Sequence, residues 1–123
     1  MSIDYNLLYV SDVAKSVAFY EKILGLKPVA ASPGFAVFAL PSGNKLGLWL
    51  NAEVAPAATA PGGCEFGIGV KTYPEVDQTA ADWSRSGTKI VQEPVDMPFG
   101  RTFTALDPDG HRLRVYSLAD NPQ

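Results

Sequence analysis

Apolar and polar residues follow either a strand-like alternation or a helical period along most of the chain, and this pattern predicts two helices among eight strands. Residues 3–10 are typical of a mostly buried strand. The helix after this strand would begin behind an Asp12 N-cap and end at Gly25, which suits a left-handed C-cap. The apolar positions at helical spacing are Val13, Val17, Tyr20 and Leu24. Further strands are predicted near 27–30, 35–40 and 45–50.

The second half of the chain repeats this order after a segment without periodicity. Residues 51–62 contain two prolines and are predicted to be a linker. Residues 65–70 are then typical of a strand with glycines on one face. The second helix is predicted over about 74–86, and its apolar stripe is Val76, Ala80 and Trp83. Strands are predicted near 88–92, 101–106 and 111–117, followed by a frayed tail over 119–123.

Two short stretches nearly match each other, which indicates an internal duplication. They are Pro41-Ser-Gly-Asn-Lys-Leu-Gly-Leu-Trp49 and Pro108-Asp-Gly-His-Arg-Leu-Arg-Val-Tyr116. Val10 matches Val70 just before the two helical patterns. Residues of the two matching stretches are farther apart along the chain than Val10 and Val70 are. The second copy therefore carries small loop insertions. We therefore predict an α+β fold in which one domain, residues 1–123, contains two βαβββ modules over about 1–50 and 63–118.

Composition and charge exclude several classes of function. The net charge is −3 and there is no basic run, so a nucleic-acid partner is not expected. The N-terminal residues show neither a signal peptide nor a membrane span, and a cytoplasmic location without a membrane partner is the expectation. The lone Cys64 excludes an internal disulfide and a cysteine-cluster metal site. The single histidine, His111, excludes a histidine-rich metal site within one chain, and we expect it to be structural or exposed rather than catalytic.

An ordered set of short motifs over the whole chain resembles the vicinal-oxygen-chelate superfamily, which includes glyoxalases, extradiol dioxygenases and bleomycin and fosfomycin resistance proteins. The motifs are Tyr5-x-x-Leu8-x-Val10-x-Asp12, Ser16-Val-Ala-Phe19-Tyr20, Leu24-Gly25, Phe99-Gly-Arg-Thr-Phe103 and Asp107-Pro-Asp-Gly110. The resemblance implies that the strands of the paired modules curl into a half-open barrel. It also implies a homodimer, which completes the cavities.

The resemblance further implies where a metal ion would be held in an enzyme of this superfamily. Four side chains, commonly His, Glu or Gln, bind the ion, and the matching positions here are Tyr5, Gly47, Glu65 and Arg114. Glycine offers no side chain, and a guanidinium has only hydrogen-bond donors. We therefore expect no metal and no other cofactor.

Without the metal, the resemblance favours the branch of the superfamily that only holds a small molecule. The expected function is binding and sequestration of a planar aromatic antibiotic or metabolite, phenazine-like, which confers resistance. One alternative is a glyoxalase- or dioxygenase-type lyase or isomerase, with a metal bound in another way or with acid–base chemistry by Glu65 and Tyr5. Another alternative is a regulatory or partner-binding module that uses the fold without a ligand.

The predicted ligand-binding residues are mostly aromatic. Trp49 and Gly47 occupy alternate positions of one strand, so both should face the same side and leave a flat slot for a ring. Arg114 would form either a structural ion pair with Glu65 or a hydrogen bond to a ligand carboxylate, and both roles can coexist. Alternation does not decide which face Phe35, Phe38 and Phe103 take. Core packing is the alternative for Trp49 and Tyr116, and contact with the partner subunit is the alternative for Phe99. The full predicted set is Tyr5, Phe38, Trp49, Glu65, Phe99, Phe103, Arg114 and Tyr116.

Overall fold

A computed structural model describes residue 1 and residues 3–118 of the chain. The chain divides into two units, residues 1–60 and 61–123. The predicted frayed tail over 119–123 lies outside the described residues. In the described part, no helix has the length and apolar character needed to span a membrane.

The first unit is a four-stranded sheet with one helix. Its elements in chain order are β1 (Tyr5–Val10), α1 (Val13–Leu24), β2 (Ala30–Ala31), β3 (Phe35–Ala39), β4 (Lys45–Leu50) and a 3₁₀ turn (Asn51–Glu53). The strand order is β1-β4-β3-β2, with β1 and β4 parallel and the other pairs antiparallel. The Asp12 side chain accepts a hydrogen bond from the backbone N–H of Lys15, and Gly25 takes the left-handed conformation, so both predicted helix caps are confirmed.

The second unit has the same plan. Its elements are β5 (Glu65–Gly69), α2 (Tyr73–Arg85), β6 (Lys89–Met97), β7 (Gly100–Leu106) and β8 (Arg112–Leu118). The strand order β5-β8-β7-β6 matches that of the first unit. The α+β class and the two βαβββ modules are therefore confirmed.

The strand register shows the duplication residue by residue. Leu7 pairs with Gly47 in the first unit, and Gly67 pairs with Arg114 at the equivalent place in the second. The sequence match already makes Gly47 equivalent to Arg114, and the register now makes Leu7 equivalent to Gly67. The outer strands agree in the same way, since the pair Ala30–Val37 is equivalent to the pair Gln92–Thr104. Equivalent positions in the two modules can thus be compared directly.

In each unit the helix covers one face of its sheet and leaves the other face without a helix. Residues alternate between the two faces along each strand, because the side-chain period of a strand is two. The helix-covered face of the first sheet carries the fully buried Phe38 and Leu48, and α1 contacts β3 and β4. The corresponding core of the second unit consists of Val76, Ala80, Phe103, Ala105 and Val115. We call the uncovered faces the open face of the first unit and the open face of the second unit.

Candidate functional site

The open face of the first unit is predominantly aromatic and apolar. Trp49 lies between two rings that meet it edge to face: Tyr9 at 6.3 Å and 75°, and Phe35 at 6.5 Å and 78° between ring centroids and planes. Such edge-to-face pairs contribute about 0.5–1.5 kcal/mol beyond area burial. Tyr9 is exposed and Trp49 is half-buried, so part of this cluster is accessible from solvent. The residues of this face are Tyr5, Leu7, Tyr9, Phe35, Val37, Lys45, Gly47 and Trp49.

Gly47 does not leave the empty slot that the sequence predicts. A Cβ atom at this position would lie 2.6 Å from Leu7 Cδ2, 2.8 Å from Tyr5 Cε1 and 3.1 Å from Phe35 Cζ. The space above the glycine is therefore filled by these three side chains. The prediction that Gly47 and Trp49 share a face is confirmed, but the predicted flat slot over the glycine is absent.

Tyr5 contributes its ring to this face. The Lys45 Nζ atom lies 5.4 Å from the centroid of the Tyr5 ring, within the range of a cation–π contact. Tyr5 and Lys45 occupy paired positions of β1 and β4. The first unit thus places a cation at one end of its aromatic face.

The open face of the second unit is polar at its centre, where Arg114 and Glu65 form an ion pair. Arg114 Nε donates to Glu65 Oε2, and Arg114 Nη2 donates to Glu65 Oε1 at 3.4 Å. The side chains are 20% and 35% exposed, respectively, so solvent and small molecules reach both. Of the two roles predicted for Arg114, the ion pair with Glu65 is present in the structure.

Three further residues, Gln92, Thr102 and Thr104, complete this network, and the sequence analysis missed all three. Arg114 Nη1 donates to Gln92 Oε1 at 3.1 Å and to Thr102 Oγ1 at 3.3 Å. Gln92 Oε1 also accepts from Thr104 Oγ1 at 2.9 Å. The network therefore crosses all four strands of the sheet. A signal existed in the sequence: the duplication makes Thr102 equivalent to Phe35 of the first module, on the same face as Trp49.

Tyr116 covers the two glycines of β5. A Cβ atom on Gly67 would lie 3.3 Å from Tyr116 Cε1, and one on Gly69 would lie 3.2 Å from the Tyr116 hydroxyl oxygen. The ring therefore lies close over the β5 backbone on the open face, where the pairing of Tyr116 with Gly69 places it. Its repeat partner in the first module is Trp49, the last residue of the matching stretch.

Two of the predicted wall residues lie in the cores instead. Phe38 is fully buried on the helix-covered face of the first sheet, opposite to Trp49. Phe103 is fully buried against α2 and meets Trp83 edge to face at 5.3 Å. Both placements follow from the strand register, because consecutive residues of a strand point to opposite faces of the sheet. We therefore leave Phe38 and Phe103 out of the candidate site.

Phe99 lies at the tip of the β6–β7 hairpin and is exposed, as is Met97 beside it. Arg101 connects this hairpin to α2. Its Nε donates to Asp77 Oδ1 on α2, and its Nη1 donates to Asp96 Oδ1 on β6, each at 2.9 Å. The hydrogen bonds to Asp96 and Asp77 raise the pKa of Arg101 above its usual value. The arginine of the Phe99-Gly-Arg motif thus connects strand and helix rather than reaching a ligand.

The remaining candidate residues have structural surroundings. Cys64 is exposed rather than packed among apolar residues. The Asp107 carboxylate accepts from the backbone N–H groups of Asp109 and His111, each at 2.9 Å, which confirms a turn at this motif. Trp83 packs against the core of the second unit, where the sequence analysis places it as the apolar stripe of the helix.

The donor set does not fit a metal ion at the positions where the superfamily resemblance places one. Gly47 has no side chain, and Arg114, a permanent cation, already pairs with Glu65. Across residues 1 and 3–118, no three His, Cys, Asp or Glu side chains form a group that could hold a metal ion. Glu65 therefore faces a guanidinium where a metalloenzyme would have an ion.

Comparisons with known proteins identify the family of this chain. The family model described as the Glyoxalase/Bleomycin resistance protein/Dioxygenase superfamily matches residues 2–115. The chain belongs to this superfamily. It is 35% identical over 116 residues to the phenazine antibiotic resistance protein EhpR of Enterobacter agglomerans, a match that covers 92% of this chain and 89% of that protein.

Solved structures of other proteins share the fold. The solution NMR structure of protein ATC0852 from Agrobacterium tumefaciens has 46% sequence identity and a TM-score of 0.90, with 97% of this chain and 98% of that chain covered. A glyoxalase-related enzyme from Fulvimarina pelagi has 22% identity and a TM-score of 0.84, over 95% and 88% of the two chains, and shows the fold alone.

Proposed function

We propose that this protein binds a planar aromatic antibiotic or metabolite of the phenazine type without a metal ion, and confers resistance by lowering the free concentration of that compound. Binding would need no chemical step, only an affinity near micromolar or tighter, about −8 kcal/mol. The homodimer and the cytoplasmic location that the sequence favours stay predictions.

The observation that carries the proposal is the aromatic cluster around Trp49, together with the likeness to a phenazine resistance protein. A planar ligand gains most from flat aromatic surfaces, and Trp49 is held in place by two neighbouring rings, so little side-chain entropy is lost on binding. In the second unit, Tyr116 supplies another accessible ring beside the Arg114 network. Phe99 at its hairpin tip remains a candidate contact for the ligand.

A tryptophan-fluorescence titration tests the proposal. The chain contains two tryptophans, and Trp83 belongs to the core of the second unit, so the variant Trp83→Phe leaves Trp49 as the sole reporter. We expect phenazine, phenazine-1-carboxamide or phenazine-1-carboxylic acid to quench this variant saturably, with a Kd of about 1 μM or lower. The protein is used as purified, without added metal.

Variants of Trp49 separate stacking from general apolar contact. We expect Trp49→Leu, which retains an apolar side chain but no ring, to weaken binding about tenfold when calorimetry replaces fluorescence as the readout. Trp83→Phe is the matched control and should bind like the wild type. If none of the three compounds binds the wild type, the phenazine proposal is wrong; equal binding by Trp49→Leu would remove Trp49 from the site.

The rival function, an enzyme of the same superfamily, has less support from the site. Acid–base chemistry by Glu65 would require a carboxylate that exchanges protons with a substrate, whereas this carboxylate accepts hydrogen bonds from Arg114. Stoichiometric Zn, Ni, Mn or Fe in freshly purified protein would favour the rival over our proposal.

A further inference from the structure

The Glu65–Arg114 ion pair leaves Arg114 little capacity to bind another anion. A guanidinium has five N–H donors, and four of them face Glu65, Gln92 and Thr102. The edge formed by Nε and Nη2, which would suit a bidentate carboxylate, is the edge that Glu65 occupies. Only one Nη2 N–H lacks an acceptor among the residues that the structure describes.

The charges around the Glu65–Arg114 pair further disfavour the binding of a second anion to Arg114. The pair as a whole is neutral, so a ligand carboxylate placed against it would meet the Glu65 carboxylate at close range. Arg112 precedes on the same face of β8, but it is exposed, and its charge is therefore screened by water and salt. A second negative charge is thus disfavoured at the centre of this open face.

The groups that remain suit an uncharged ligand. The residual Nη2 N–H is a donor, and the Tyr116 hydroxyl lies on the same face. A ring nitrogen or a carbonyl oxygen accepts from such donors without adding charge. Gln92 and Thr102 keep the guanidinium in position, so its remaining N–H donor is fixed before a ligand arrives.

We propose that Glu65 is a specificity-determining residue: by occupying the carboxylate-binding edge of Arg114, it makes the protein prefer uncharged planar aromatic compounds over their carboxylated counterparts. This inference rests on the proposed function. It names the class of ligand that the site would select.

Calorimetric titration with a matched pair of compounds tests the inference. Phenazine-1-carboxamide and phenazine-1-carboxylic acid share a ring and a size, but only the acid is ionised at pH values near 7.5. We expect the wild type to bind the amide about tenfold more tightly than the acid. In Glu65→Gln, where the guanidinium charge is uncompensated, we expect the ratio of the two affinities to shift about tenfold or more toward the acid.

Two further variants complete the design. Glu93→Gln removes the same charge from an exposed position of β6 in the same sheet and should leave the ratio unchanged. Glu65→Ala should shift the ratio in the same direction as Glu65→Gln, which guards against loss of folding in one variant. Melting curves by circular dichroism verify that each variant is folded.

The outcomes separate the two proposals. If the wild type binds neither compound nor unsubstituted phenazine, the proposed function fails. If it binds the acid as tightly as the amide or more tightly, or if Glu93→Gln shifts the ratio as much as Glu65→Gln does, binding stands but the specificity role of Glu65 is overturned. A shift toward the acid in both Glu65 variants, from a wild type that prefers the amide, supports the inference.

Discussion

Gly47 and Arg114 occupy equivalent positions of the two modules, but their surroundings differ. In the first module three neighbouring side chains fill the space above Gly47. In the second module a long side chain occupies the position and is fixed by hydrogen bonds. The position of Gly47 is thus surrounded by apolar packing, and the position of Arg114 belongs to a neutral polar network.

The packing above Gly47 predicts that this residue tolerates no side chain without cost. We expect Gly47→Ala to lower the free energy of unfolding by about 1 kcal/mol, because a Cβ atom at 2.6 Å from Leu7 Cδ2 and 2.8 Å from Tyr5 Cε1 forces the ends of both side chains to move. Urea unfolding measures the loss.

Gly63→Ala is the matched control for this substitution. A Cβ atom at Gly63 would have no heavy atom within 4 Å, so the expected change is within about 0.5 kcal/mol. If Gly47→Ala were as stable as this control, the space above Gly47 would be open after all, and the slot predicted from the sequence would be restored.

Which aromatic residues face a ligand depends on register, and register could not be read from the sequence. Phe35 pairs with Trp49 and Phe38 pairs with Leu46, so Phe35 shares the open face and Phe38 does not. A slip of one residue in the β3–β4 hairpin would exchange them. The sequence predicts both strands, but it does not specify how the turn between them closes.

The β6 strand shows the same limit for a whole element. The sequence predicts a strand near 88–92, whereas β6 runs from Lys89 to Met97 and contains Pro94. Two shifts of register, between Ile90 and Gln92 and between Gln92 and Val95, accommodate the proline on this edge strand. Bulges depend on pairing with β7, which no local pattern reveals. The role of Gln92 was missed because the bulge after Ile90 places Gln92 on the open face, whereas simple alternation would place it on the core side with Ile90.

Arg101 joins three elements, and its loss should therefore cost more than the loss of an ion pair within one helix. Its partners Asp77 and Asp96 are 52% and 73% exposed, so water screens both pairs. We expect Arg101→Met to lower the free energy of unfolding by about 1 kcal/mol, and we expect salt at about 1 M to reduce this difference. Urea unfolding at two salt concentrations provides the measurement.

Arg85→Met is a suitable comparison for Arg101→Met, because Arg85 pairs with Asp82 on the same helix. The expected loss there is only about 0.2–0.5 kcal/mol. Equal losses in the two variants would show that connecting β6, β7 and α2 adds nothing to the stability of the hairpin that carries Phe99.

Duplication made the overall organisation the most predictable feature of this protein. A repeat detected from two short stretches, Pro41–Trp49 and Pro108–Tyr116, specifies the number, order and type of the elements in both modules, and the strand registers of the two units place matching residues at equivalent positions. The chemistry that distinguishes the modules lies in side-chain contacts across strands. These contacts required the structure.

The distinction between sequestration and catalysis applies to the protein as a whole. A binding protein protects a cell only up to its own concentration, whereas an enzyme turns over and is not limited in this way.

We expect cells that express this protein to tolerate a phenazine antibiotic in proportion to the amount of protein. After denaturation of the protein, we expect mass spectrometry to recover the compound chemically unchanged, at a molar amount no greater than that of the protein chains. Cells that express equal amounts of Trp49→Leu should lose most of this protection, since weaker binding leaves more free compound. A modified product in excess over the protein would instead identify an enzyme of the superfamily and would overturn sequestration as the mechanism.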